Sequence, residues 1–335
     1  MKVIKSRPLA SIVVAAALVI AAGVASADAA RIRVHGSVPI WNVRGPVVVA
    51  QEKGFLAAAG ITDVEFKLGG GTIESVRGLA AGGFDVLINA GTPSTLRAIS
   101  LGAPIKIIGG FAHQARYSVF IKKGMTAADL KGKTIAVADL EDFTSRLLDI
   151  ALKKLALDPM RDVRKIPAGP PGARMGAHFA GKVGASMNIY NLLPVYASRG
   201  FVPLINLHEI DELTPWSLIV VAANTKFLAN NRDVARGFLS AIIRARTWYH
   251  DPKNAKELRA ILGKSGMRFR SDRHFGFEYA LDRAMTPDDL NLPRSHYENT
   301  ERVMRSASAL DKPVSYDDAV DSAILGEAQK AAQAN

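Results

Sequence analysis

The sequence predicts an α/β protein of two doubly wound modules, with helices to follow. Three observations carry this. Strand-like and helix-like segments alternate from Arg31 onward. Several strand-like segments are continuous apolar runs next to glycine, the signature of strands buried in a parallel sheet. The alternation then restarts at Ser118, giving two sets of βαβ units with right-handed crossovers.

In the first set Arg31 to His35 reads as a strand and Val47 to Ala59 as a helix stopped by Gly60. Val64 to Leu68 is a second strand, and Gly69-Gly70-Gly71 leads into a helix through Leu79. Phe84 to Asn89 is a buried strand, Thr92-Pro93-Ser94 opens a helix with Thr92 as N-cap and Pro93 in its first turn, and Ile105 to Gly109 is a strand. The second set runs from Ser118 to Lys122 through Thr134 to Ala138, a helix over Thr144 to Leu157, and strands at Val163 to Ile166, Val183 to Met187 and Val202 to Leu207. Leu148, Leu152 and Leu155 give that helix its apolar face, and Gly169 to Gly172 is a loop. After the strand Ser217 to Ala223 the chain turns helical, with Val234, Phe238, Ile242 and Ala245 on one face. The Ala/Gln-rich end is expected to fray.

The first 27 residues set the address. Lys2, Lys5 and Arg7 precede an apolar run from Leu9 to Val24, and Ala25-Ser26-Ala27 offers small residues to a signal peptidase. That is a secretory leader cut near Ala27-Asp28, too short in its core for a membrane span. The chain has no Cys, which excludes a disulfide framework, a thiol nucleophile and a lipoprotein anchor. A soluble protein of a Gram-negative periplasm is expected, not membrane-anchored and monomeric. Without the leader's three cations the net charge falls from +12 to +9. That surplus reads either as a solvated basic surface or as steering for an anionic ligand; export and the dispersal of the cations argue against nucleic acid.

Six segments occur in an order that resembles one family. They are Pro46 to Phe55 within Trp41 to Gly60; Gly82-Gly83-Phe84-Asp85-Val86; Leu130-Lys131-Gly132-Lys133-Thr134-Ile135-Ala136-Val137; Leu157-Asp158-Pro159; Asn224 to Phe227 with the Trp248 helix; and Tyr316 to Ala328. Together they resemble the nitrate/sulfonate/taurine-type periplasmic substrate-binding proteins, of the superfamily that also binds the thiamine pyrimidine precursor. The resemblance implies a type II periplasmic binding fold, with two lobes joined by two crossover strands and the ligand trapped in the cleft between them. It places the first lobe at 28–117 and 217–335 and the second at 118–216. It implies an ABC permease with its cytoplasmic ATPase as partner, and no cofactor. Two positions depart from the family's pattern. Gly184 stands where an acidic residue is common, and Asp139 to Thr144 brings carboxylates to a helix start that is usually Gly-Ser or Ser-Thr.

Open α/β sheets bind ligands where strand ends lead into helix N-termini, which gives four candidate loops. In the first, Trp41 stacks on a planar ligand or packs into the lobe, and Asn42 is a hydrogen-bonding candidate. In the second, Gly70, Gly71 and Thr72 cradle an oxyanion or form a capped turn. In the third, Gly91, Thr92 and Ser94 offer N–H groups and hydroxyls at a helix start, or Thr92 simply caps it. In the fourth, Phe143 covers a ligand while Thr144 or Asp142 binds it or caps the helix. Asn188, Tyr190 and Trp216 are further candidates, Trp216 either lining the cleft or bracing the hinge. His113 either touches ligand or is structural.

Catalysis finds little support. The seven His are scattered, with no zinc-helix spacing, nucleophile elbow or P-loop. The expected function is capture of a small organic anion for an ABC importer. The alternatives are a receptor for another transporter or a sensor kinase, and an exported enzyme.

Overall fold

The computed structural model describes residues 30–38, 40–140, 143–269 and 271–334. The leader with its Ala27-Asp28 cleavage point, Pro39, and the Glu141-Asp142 pair lie outside the described residues.

The chain begins with β1 (Ala30–Gly36), α1 (Trp41–Glu52), the single turn α2 (Phe55–Ala58), β2 (Ile61–Leu68), α3 (Gly71–Ala80), β3 (Val86–Gly91), α4 (Thr92–Ser100) and β4 (Ile105–His113). It crosses over to β5 (Tyr117–Lys122), then β6 (Thr134–Val137), α5 (Phe143–Lys154), β7 (Arg164–Pro167), α6 (Pro171–Phe179), β8 (Ala185–Ile189), α7 (Leu193–Ala197) and β9 (Phe201–Asn206). It returns through β10 (Ser217–Asn224) to α8 (Thr225–Asn230), α9 (Arg232–His250), α10 (Ala255–Lys264), α11 (Asp272–Met285), α12 (Arg294–Ser306), α13 (Tyr316–Ala319) and α14 (Ser322–Ala334).

Two five-stranded sheets result, ordered β2-β1-β3-β10-β4 and β7-β6-β8-β5-β9. Each mixes parallel βαβ pairs with one antiparallel strand inserted from the crossover: β10 between β3 and β4, and β5 between β8 and β9. The strand β3 shows why the apolar run was readable, since all six of its residues are buried. Phe238, Leu239 and Ile242 of α9 are fully buried against the first sheet, each contributing about 1.5–3 kcal/mol.

Several boundaries differ from the sequence reading. The first helix starts at Trp41, ahead of Pro46, and breaks at Gly54, whose φ of 72° is left-handed. Proline within the helix's second turn, lacking an N–H, disguised the true start. Gly91, not Thr92, is the N-cap of α4. The Gly169 to Gly172 loop is half helix, because Pro171 begins α6. The Ala/Gln-rich end is not frayed but continues α14 to Ala334, with Ile324, Leu325 and Ala328 buried and Ala332 packed on the first core.

Candidate functional site

The carboxyl ends of β1, β3 and β4 and the start of β10 gather beside the two crossovers. Gly36 ends β1, and its carbonyl accepts from Gly69 N at 2.9 Å, while Ser37 O accepts from Gly71 N at 3.1 Å. Gly70 and Gly71 have φ of 81° and 69°, so this loop needs glycine to turn into α3. A Cβ on Gly91 would lie 2.7 Å from Thr72 Cγ2, so only glycine lets the second loop touch the third. The loop carrying Gly70, Gly71 and Thr72 and the α4 start carrying Gly91, Thr92 and Ser94 therefore form one surface. Within it Thr92 is buried with its hydroxyl 3.4 Å from that of Ser217, and Ser94 is half-buried.

The first loop is covered rather than open. Trp41 is buried, with Tyr249, Phe269 and Phe275 at its edges, and its indole donates to Glu278. Asn42 donates to Asp282 Oδ1 at 3.0 Å. Both acids and Phe275 belong to α11, which thus lies over the N-terminus of α1. The same helix reaches the second lobe, where Phe277 meets the Tyr190 ring at 6.3 Å.

In the second lobe Phe143 stacks on Trp216 and stands edge-on to Tyr117. Thr144 accepts from Ala138 N at 2.9 Å, tying the end of β6 to the start of α5. Asn188 is fully buried. It donates to Pro171 O and Tyr196 OH, and accepts from Arg174 and Ile189 N, so its amide serves the lobe's interior. His113 bonds Asn291 O through Nε2 and meets His296 edge-on; burial, then repulsion from His296, lowers its pKa to about 4.

The sequence reading missed the strongest charges of this region. Arg116, in the first crossover, and Arg246, on α9, are both buried. Arg116 NH1 lies 3.9 Å from Asp282 Oδ1. Arg246 donates to Phe111 O at 3.1 Å and covers the Phe111 ring. Asp282 also accepts from Tyr249 OH at 3.3 Å and His250 Nε2 at 3.0 Å, and His250 Nδ1 bonds Asp288. Burial works to raise the Asp282 pKa, but His250, Arg246 and Arg116 outweigh it and hold the carboxyl below its usual range. Burial lowers the Arg116 pKa, with Asp282 opposing and Arg246 reinforcing. Among the described residues, Arg116 NH1, Arg246 Nε and NH1, and Trp216 Nε1 are buried with no hydrogen-bond partner. A signal existed: Arg246 follows Phe238 and Ile242 at four-residue steps on the buried face of its helix.

This arrangement can neutralise an oxyanion and stack a flat or apolar body. Among the described residues no group of three or more His, Asp or Glu is placed to hold a metal.

The NMT1/THI5-like family model matches residues 41–255. The chain belongs to that family. No match was found among curated protein sequences. Among solved structures the chain is similar to the alkanesulfonate-binding protein SsuA of Xanthomonas axonopodis pv. citri bound to MOPS, at 20% identity and a TM-score of 0.66 over 87% of this chain and 98% of that one. It is similar to the periplasmic aliphatic sulphonate binding protein SsuA of Escherichia coli, at 16% identity and 0.68 over 87% and 91%. It is also similar to the periplasmic nitrate-binding protein NrtA of Synechocystis PCC 6803, at 16% identity and 0.70 over 92% and 90%. At these identities the likeness shows the fold: the two-lobed periplasmic binding architecture. With the family it supports a solute-binding role.

Proposed function

We propose that this chain is the periplasmic receptor of an ABC importer and captures a small organic anion between its lobes. The observation that carries the ligand's charge is the pair of buried guanidiniums, Arg116 and Arg246, with N–H groups unmatched and one carboxylate between them. Buried charges are normally paired and bonded, so a surplus of cationic donors at a cleft favours an anionic guest. In this reading the Gly70 to Thr72 and Gly91 to Ser94 surface adds helix-start N–H groups and hydroxyls. The aromatic group of Tyr117, Phe143 and Trp216 favours an organic body over a bare inorganic ion.

In this reading residues 1–27 are removed on export, 28–117 with 217–335 form one lobe, and 118–216 form the other. A permease with its cytoplasmic ATPase receives the loaded protein, which acts as a monomer. Nothing in this reading calls for catalysis or a cofactor. The test is a melting-temperature screen of the mature protein against organic sulfonates, carboxylates, nitrate and neutral heterocycles, because a ligand that binds only the folded state raises the melting point. Stabilisation confined to organic anions supports the reading; stabilisation by neutral solutes alone defeats it.

A further inference from the structure

Helix α11 is held by several buried side chains, and Asp282 makes the most polar contacts of them. Asp282 accepts from Asn42 on α1 and from Tyr249 and His250 on α9, and faces Arg116 in the crossover. Two other side chains of the helix reach opposite sides: Phe275 packs on Trp41 of the first lobe, and Phe277 on Tyr190 of the second. The Tyr279 hydroxyl donates to Tyr249 O at 2.8 Å and Glu278 accepts from the Trp41 indole, so the helix, which belongs to neither sheet, is attached through its side chains. Turns with left-handed backbone flank it, at Gly266 with φ of 86° and Leu290 with φ of 55°.

Beneath α11 three guanidinium nitrogens, Arg116 NH1 and Arg246 Nε and NH1, and one acceptor, Asn42 Oδ1, are buried without a partner. Asp282 is the one acid in ion-pair contact with Arg116 among the described residues, and it stands 3.9 Å away, beyond hydrogen-bond range. Arg246, whose charge acts on both Arg116 and Asp282, brings two further unmatched nitrogens. These atoms are out of reach of solvent, so an oxyanion reaches them only if something moves. Of the neighbours, β4, β10 and the crossovers are tied into the sheets; α11 is in neither sheet and is anchored by side chains, with Phe275 and Tyr279 packed into the first core.

We propose that Asp282 is both the latch of α11 and the cleft's resident counter-ion, so that an entering sulfonate or carboxylate group replaces it at Arg116 and lifts the helix. The inference rests on the receptor reading for the ligand's charge and adds a residue that sets affinity by competing with it. A side chain that stabilises the latched arrangement lowers apparent affinity by the fraction of molecules it keeps latched.

Asp282→Asn keeps the shape and removes the charge. Sodium methanesulfonate is the probe, compared with sodium chloride at equal concentration. The melting-temperature gain from methanesulfonate should be larger in Asp282→Asn than in the wild type, and calorimetric affinity at least tenfold tighter. Equal or weaker affinity in the variant overturns the proposal. A second variant covers the case in which Asp282→Asn fails to fold. Met285 is buried at the end of α11, and Met285→Cys places a single thiol in a chain that has no cysteine. Saturating methanesulfonate should speed its labelling by an uncharged maleimide at least threefold, and an unchanged or slower rate overturns the lifting of α11. If screened organic anions bind the wild type with affinity that Asp282→Asn leaves unaltered, the latch falls while the receptor reading stands. If the wild type is stabilised by neutral solutes alone among those screened, while methanesulfonate still binds Asp282→Asn tenfold more tightly than the wild type, the latch stands and the receptor reading falls.

Discussion

Phe143 lies flat on Trp216, with ring centroids 5.7 Å apart and planes 14° from parallel. One ring starts the helix after β6 and the other stands at the return crossover, so the stack joins the second lobe to the hinge. Trp216 is buried, and its indole N–H has no hydrogen-bond partner.

Truncating that stack should be visible optically. Phe143→Ala should red-shift Trp216 emission and cost about 2–3 kcal/mol, from lost apolar burial and an aromatic pair worth about 0.5–1.5 kcal/mol beyond it. Phe143→Leu should retain most of the stability. Urea unfolding of both variants, followed by fluorescence, checks this; equal loss in both would show that the ring geometry contributes nothing.

Asn188 gives a contrasting expectation. Its amide bonds Pro171 O and Tyr196 OH inside the second lobe, so Asn188→Ala strands buried groups at about 1–3 kcal/mol. The melting temperature should fall while the affinity of the folded variant for its anion stays within a factor of about two, well under the decade that 1.4 kcal/mol represents. A tenfold weakening at normal stability would instead place the amide on the ligand.

Glu278 should make stability depend on pH in an unusual direction. Burial lifts its pKa to about 7, against the hydrogen bond from Trp41. Its raised folded value means that stability is fully present below about pH 4.5 and lost as pH rises toward about 7, by roughly 3 kcal/mol. Glu278→Gln should flatten that segment of the stability curve and raise stability at pH 8. Denaturant titrations at four pH values between 4.5 and 8 check it, and parallel curves would contradict it.

His178 works the other way. Burial against the Tyr196 and Phe201 rings lowers its pKa to about 4. Its depressed folded value means stability is present above about pH 6.5 and lost as pH falls toward about 4. His113 adds the same sign. Proton NMR should show both imidazoles titrating near pH 4; titration near 6.5 would place them in water.

The fold was legible because burial leaves a local trace. The run Phe84 to Asn89 announces a central strand, though the strand proper is β3, two residues later, because Asp85 is spent on Arg33 at the strand's mouth. Pro46 hid the first turns of α1, and low-complexity Ala and Gln hid α14, whose helix is fixed by packing on α9 and β4. The site was legible only in part. Gly70 to Thr72 and Gly91 to Ser94 are local signals and do meet in space. Arg116, Arg246 and Asp282 are contributed by a crossover and two distant helices, and no spacing joins them. Their trace was a charge on an apolar stripe: Arg246 after Phe238 and Ile242, and Asp282 after Phe275 and Tyr279. The net charge of the whole chain averaged that trace away.

Whether an organic anion is held between the lobes at Arg116 is decided by calorimetric titration of the best-stabilising anion into the wild type and Arg116→Gln, with melting curves as the folding control. A charge-assisted hydrogen bond is worth about 1.5–3 kcal/mol, so the wild type should show one site per chain and the variant an affinity at least about tenfold weaker. Unchanged affinity in a normally folded Arg116→Gln protein would contradict it.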